Sequence, residues 1–140
     1  MVTGALVLSP RLVAEIVAHA RAGLPDEVCG LIAGKAGVGL RLYRGRNASR
    51  TPRVSFEMDV DTLVRQIEIA DAGLDLVAIY HSHPRGREAL SAADIALAAL
   101  YRDSAQLVCS LADPLRPALM AYRVAGGRAF PIELVTRFPP

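Results

Sequence analysis

The first regular pattern along the chain is helical. Ser9-Pro10 reads as an N-cap followed by proline in the first turn, and Leu12, Val13, Ile16, Val17 and Ala20 share one face until Gly23, predicting a helix over 10–22. His19 falls off that stripe and is expected at the surface. After Pro25, the run Val28 to Ala33 is too short for a helix and stops at Gly34, which predicts a buried strand. Val38, Leu40 and Leu42 then alternate with Gly39, Arg41 and Tyr43, the period of a half-buried strand, so the two strands form a hairpin. A polar connection over 44–53 holds Asn47 and Pro52, and Val54 to Met58 reads as a further strand.

Asp59 or Asp61 caps a second predicted helix, whose apolar face is Leu63, Val64, Ile67 and Ala70 and which ends before Gly73. Leu76 to Tyr80 is a near-continuous apolar run, the mark of a strand covered on both faces, and it delivers the chain into His81-Ser82-His83-Pro84. A third helix starts near Ser91; from Ile95 to Leu100 it is apolar almost all round, as expected of a buried helix. Leu107 to Leu111, Ala118 to Val124 and Phe130 to Val135 read as strands, the last two joined across Gly126-Gly127. Interleaved helices and strands with hairpins at both ends exclude a wholly parallel sheet and predict an α/β (α+β) fold, a mixed sheet flanked by helices.

Composition narrows this picture. The 140 residues, 52% apolar with 16 basic and 14 acidic side chains, suit one domain over 1–140. No apolar run approaches the ~20 residues of a membrane span, and the Ala5 to Leu8 run is too short for a signal-peptide core, so a cytoplasmic protein is expected. Cys29 and Cys109 are too few for a disulfide-stapled fold and are expected to be reduced. A net charge of +2 with 5% aromatic residues does not suit a nucleic-acid surface.

The chemistry concentrates after the central strand. His81 and His83 stand two apart, so their side chains leave the same face with Cα atoms about 6.6 Å apart, and both imidazoles can reach one ion. Asp94 follows in the first turn of the third helix. A His, His, Asp set with a fourth position left for water is the composition of an open, hydrolytic zinc site. Each feature alone has an ordinary explanation: a hydrogen-bonded strand end for the histidines, and a helix-capping pair for Ser91 and Asp94. Neither HExxH nor the deaminase pattern H-x-E with P-C-x-x-C is present.

His81-Ser82-His83-Pro84, six residues, then Ser91-Ala92-Ala93-Asp94, with Glu27 upstream of Cys29-Gly30, resembles the JAMM (MPN-plus) metalloprotease motif H-x-H-P-x6-S-x-x-D. The PDEVCGLIAG, N-A-S-R-x-P, I-Y-H-S-H and S-L-A-D-P segments are similar to the short bacterial members. The resemblance implies an MPN/JAB-type, cytidine-deaminase-like mixed sheet flanked by helices. It also implies zinc held by His81, His83 and Asp94, Glu27 as general base and Ser91 as oxyanion support. Asp26 is the rival to Glu27, and family register favours Glu27. Cys29 reads as a small buried thiol, and Ser82, between the ligands, faces the other side of the strand as a supporting or packing residue.

Leu90 stands where many short bacterial members have proline before the motif serine, and the long insertions of eukaryotic deubiquitinases are absent. The implied substrate is a ubiquitin-fold protein, in bacteria a sulfur carrier bearing cysteine or another group after a Gly-Gly tail. That tail would add as a short strand beside the metal. Arg41, Arg44, Arg46, Arg50 and Arg53 could contact an acidic carrier face or simply form a solvated surface. The resemblance leaves a homodimer open, and includes non-catalytic scaffolds and a DNA-repair-associated RadC-type branch. Scaffolds lack the ligands, and the repair branch usually has asparagine where Ser82 stands.

Overall fold

The computed structural model describes residues 4–137. Its elements are β1 (Leu6–Leu8), α1 (Pro10–Gly23), β2 (Cys29–Lys35), β3 (Val38–Arg44), α2 (Val60–Asp71), β4 (Asp75–His83), α3 (Ala92–Ala98), β5 (Ala105–Ser110), β6 (Ala118–Ala125), β7 (Arg128–Ile132) and β8 (Leu134–Thr136). The eight strands form one mixed sheet in the order β7-β6-β5-β4-β2-β3-β1-β8. Pairs β4/β5, β1/β3 and β1/β8 are parallel and the others antiparallel.

The two outermost strands are consecutive in sequence, separated by Glu133 alone. Ile132 and Leu134 are thus at most about 7 Å apart, so the sheet must curl until its edges meet. α1 fills the concave side. Its Leu12, Ile16 and Ala20 pack on Leu6, Leu8, Ile32, Tyr80 and Leu107, with Ile132 and Leu134 against the same cluster. On the convex side Cys29, Leu31, Ala33 and Ile79 lie under Phe56, Met58 and Ile69. Strand alternation makes this division: Leu31 and Ile79 face one way, Ile32 and Tyr80 the other. The two free thiols, Cys29 and Cys109, lie in opposite clusters and are buried, which raises their pKa values to about 12 and about 11.

α1 forms as expected: Ser9 Oγ accepts from Leu12 N–H at 3.2 Å with Pro10 in the first turn. The Gly126-Gly127 hairpin also forms, with φ of +58° and +72° that suit glycine. β4 is covered on both faces and continues through His83.

Several expectations fail, each for a physical reason. Within Ala5 to Leu8 the pattern predicts no element, yet β1 forms there: its three residues are too few to show a period and are held by β3 and β8 on either side. Val54 to Met58 is no strand. Only one bridge forms there, Asn47 to Met58, because the Asn47 side chain takes the ladder bonds: its Nδ2 donates to Ser55 O (3.0 Å) and its Oδ1 accepts from Glu57 N–H (3.1 Å). The last predicted strand is two, β7 and β8, which run to opposite ends of the sheet order.

The predicted apolar face of α2 points the wrong way. Leu63, Val64, Ile67 and Ala70 are exposed, Ile67 at 62%, whereas Thr62 and Ile69 are buried. Polar bonds set that rotation: Asp59 caps the helix, Thr62 Oγ1 donates to Asp59 Oδ1 (2.5 Å) and accepts from Arg46 N–H (3.0 Å). α3 is likewise not buried all round. Only Asp94 and Ala98 are buried, and Leu100 beyond its end is 76% exposed, because the helix covers just one side of the convex face.

Candidate metal centre

β4 carries its two histidines inside the sheet, not at an edge. His81 is level with Cys29 of β2 and with Val108 of β5, and His83 with Ser110 of β5. On the β5 side both are paired, whereas on the β2 side the pairing ends at His81, and the outermost strands of the sheet are β7 and β8. The intervening Ser82 points to the other face, as its spacing predicts, and its Oγ accepts the Val28 N–H at 2.8 Å while its own N–H donates to Val28 O at 3.0 Å. This double link fixes the segment just after Glu27 against the strand that bears the histidines.

Asp94 arrives from α3. Ser91 caps the helix: its Oγ accepts from Asp94 N–H at 3.1 Å, and its N–H donates to Asp94 Oδ2 at 2.9 Å, a reciprocal capping box. The capping pair and the candidate ligand are thus the same feature. Asp94 Oδ2 lies 3.2 Å from both His81 Nε2 and His83 Nε2, and those nitrogens are 3.1 Å apart. Burial works against ionised Asp94, but contacts from the two histidines and the Ser91 N–H outweigh it and hold the carboxyl well below its usual range. Burial also lowers the pKa of His81, against the pull of Asp94, whereas for His83 the Asp94 and Arg87 contacts overcome burial and raise it.

With a cation bound between them, neither histidine needs a second proton. His83 Nδ1 lies 2.6 Å from the Arg87 carbonyl, which can only accept, so this nitrogen carries the hydrogen and the neutral ring turns the Nε2 lone pair inward. That lone pair meets the Asp94 carboxylate and His81 Nε2. The three contacts of 3.1, 3.2 and 3.2 Å form a near-equilateral triangle. Tetrahedral zinc with ligands at ~2.0–2.1 Å has donor-to-donor edges of about 3.3–3.4 Å. Donor chemistry and spacing both fit that ion. Phe56 stacks on His81 with centroids 4.5 Å apart and planes 23° apart, which restrains the ring, while His81 Nδ1 is buried with no hydrogen-bond partner.

Glu27 completes the group. Its carboxylate offers an oxygen within 4.8 Å of donor atoms of His81 and His83, so these three could also hold an ion, although more loosely than the set containing Asp94. Oε1 of Glu27 is buried with no hydrogen-bond partner. Burial, reinforced by Asp94 and opposed by His83, pushes its pKa up to about 7. The backbone of Glu27 is clamped: its N–H donates to Pro52 O at 2.7 Å and its carbonyl accepts from Asn47 Nδ2 at 2.9 Å. Asn47 stands in the polar connection after β3, where the sequence pattern assigns it no role. Its signal is membership of the N-A-S-R-x-P segment, which marks similarity to the short bacterial members but does not reveal a contact spanning 20 residues.

These groups open onto a cleft of about 400 Å³ with Glu27, His83 and Ser91 in its lining and Arg53, Val54 and Arg85 around them. A second depression of about 450 Å³ contains Gln66, Asp75 and Asp103 in its lining but no histidine or cysteine among the described residues, so chemistry favours the first. Of the five arginines over 41–53, only Arg53 lines the cleft. Arg41 and Arg44 stand three apart on β3, which sends them to opposite faces, so the run is not one patch.

The family model for prokaryotic homologues of the JAB domain matches residues 9–123. The chain belongs to the prokaryotic JAB family. Within it, the chain is 34% identical over 137 residues to the CysO-cysteine peptidase of Mycobacterium tuberculosis H37Rv, covering 95% of this chain and 93% of that one. It is 39% identical over 87 residues to the desampylase of Haloferax volcanii, covering 57% and 63%. A solved protein of Desulfitobacterium hafniense matches with a TM-score of 0.81 at 28% identity over 95% of this chain and 93% of that one. One of Salinibacter ruber matches with a TM-score of 0.69 at 26% identity over 95% and 92%. With relatives named as peptidase and desampylase, the chain is a JAB-type hydrolase. No helix among the described residues is long and apolar enough to cross a membrane.

Proposed function

We propose that this JAB protein is a zinc-dependent peptidase or isopeptidase that cleaves the amide bond after the C-terminal Gly-Gly tail of a ubiquitin-fold sulfur carrier. On this reading it releases cysteine or another attached group in the cytoplasm. One observation carries it: two imidazoles and a carboxylate converge within 3.2 Å, the His83 tautomer is pinned by a carbonyl, and an unpartnered carboxylate oxygen of Glu27 stands beside them. The name of the mycobacterial CysO-cysteine peptidase supports the substrate class.

His81, His83 and Asp94 would hold the ion, which when bound supplies a Lewis acid that lowers the pKa of water and polarises a carbonyl. Glu27 accepts the proton of the attacking water at Oε1 and returns it to the departing amine as the amide C–N bond breaks, leaving a carboxylate on the tail. Burial favours the protonated form of this carboxyl, which helps it hold the proton between the two transfers. Ser91 Oγ already accepts from Asp94 N–H, so its own hydrogen is free to donate to the oxygen on which charge develops. A Gly-Gly tail suits close passage over the site because it brings no Cβ.

The test is cleavage of a ubiquitin-fold carrier ending in Gly-Gly-Cys by wild type and by Glu27→Gln. The amide keeps the shape but cannot take the proton, so turnover should fall by about 10²-fold or more with fold and metal content unchanged. Near-normal turnover in a folded Glu27→Gln protein would remove Glu27 from the reaction, with Asp26 next in line.

A further inference from the structure

The cleft holds two cations that the hydrolytic chemistry does not use. Arg53 and Arg85 both line it with Glu27, His83 and Ser91, and neither has a carboxylate within ion-pair distance among the described residues. Both are rooted in the site. Arg53 follows Pro52, whose carbonyl receives the Glu27 N–H, and Arg85 lies two residues after His83. A space of about 400 Å³ admits a peptide tail and a leaving group, not the face of a folded carrier. A Gly-Gly tail brings no charge for either guanidinium. The departing side can supply one, because an α-linked amino acid carries its carboxylate one carbon from the scissile nitrogen. A lysine side chain in isopeptide linkage presents only methylenes there.

We propose that Arg53 and Arg85 bind the free α-carboxylate of the departing residue, making the enzyme selective for a single amino acid on the tail over a protein lysine. This rests on the hydrolase reading above and names its substrate class. Guanidinium groups pair with carboxylates through directed, charge-assisted bonds, so neutralising the carboxylate should be felt strongly.

The experiment compares a carrier ending in Gly-Gly-Cys as free acid, the same chain ending in the cysteine carboxamide, and a Gly-Gly isopeptide to a lysine side chain. In wild type, kcat/KM for the free acid should exceed that for the other two by about tenfold or more, and the ratio should collapse in an Arg53→Gln/Arg85→Gln double variant. Binding is read separately by calorimetry with Glu27→Gln protein, where the free acid should bind about tenfold more tightly than the carboxamide. Equal kcat/KM and equal binding of acid and carboxamide would overturn the proposal, as would a preference that survives in the double variant or equal cleavage of the lysine isopeptide. Selective binding of the free acid by a protein that cleaves nothing would support the arginine site while refuting the hydrolase reading.

Discussion

Replacing Ser82 by alanine removes one oxygen from the middle of the His81-Ser82-His83 segment without touching a candidate ligand. The Ser82 hydroxyl is fully buried and accepts the Val28 N–H at 2.8 Å. Alanine leaves that amide without its partner inside the protein, and an unsatisfied buried donor costs about 1–3 kcal/mol, far more than the loss of one small atom's packing. With an unfolding entropy near 2.1 cal/mol/K per residue, a chain of 140 residues shifts by about 3 °C per kcal/mol, so Tm should fall by about 3–10 °C. Function should fall too. Val28 follows Glu27 directly, and slackening its link to β4 blurs the position of the proposed base relative to the histidines, so kcat should drop by about tenfold while zinc content holds. Thermal melts, metal analysis and steady-state kinetics on one preparation read all three quantities. A Tm within about 1 °C of wild type together with unchanged kcat would show that the Ser82 bond does not set this register.

Two further outcomes test other parts of the structure. In α2, Ile67→Lys should change stability by no more than about 0.5 kcal/mol, whereas Ile69→Ala should cost about 2–5 kcal/mol in urea unfolding; the reverse order would mean that the helix is rotated toward its apolar stripe. On the concave face, His19 Nδ1 lies 2.8 Å from Tyr80 Oη, and burial, aided by Arg44, lowers the His19 pKa to about 4. The unfolded chain protonates this ring near pH 6.5 and the folded chain only near 4, so stability is lost as pH falls through that window. Because solvent reaches the half-buried ring, the loss is about 1–2 kcal/mol. Between pH 7.5 and 4.5 wild type should lose that much more stability than His19→Gln, and equal losses would show that the ring does not titrate differently on folding.

The candidate site was more legible than the packing around it. His81, Ser82 and His83 sit on a strand whose period of two separates candidate ligands from support, and Ser91 and Asp94 are spaced as a capping box that also aims a carboxylate; local geometry alone carries both. Hidden from the sequence were the long-range contacts. Asn47 reaches the Glu27 carbonyl, and Pro52 the Glu27 N–H, only after the chain folds back; the N-A-S-R-x-P segment that holds both marks the resemblance but not these contacts. α2 misled for a related reason: its apolar stripe was real, but Thr62 bonds to Asp59 and to the Arg46 backbone turned another face inward. His19, expected at the surface, is tied to Tyr80 because Gly30, opposite Tyr80 in the sheet, has no Cβ; one placed there would lie 2.3 Å from the phenol ring. The curl of the sheet follows from β7 and β8 being split at Glu133, which an alternation pattern reads as one strand.

The central claim is that His81, His83 and Asp94 form one zinc site. Its most direct test is zinc content after exhaustive dialysis, measured on folded wild type and His83→Ala with circular dichroism as the check of fold. The geometry predicts close to one zinc per chain in wild type and a large loss in the variant, since two of the three sides of the donor triangle end on His83 Nε2. Equal zinc in the two proteins, or none in wild type supplied with the metal, would contradict it.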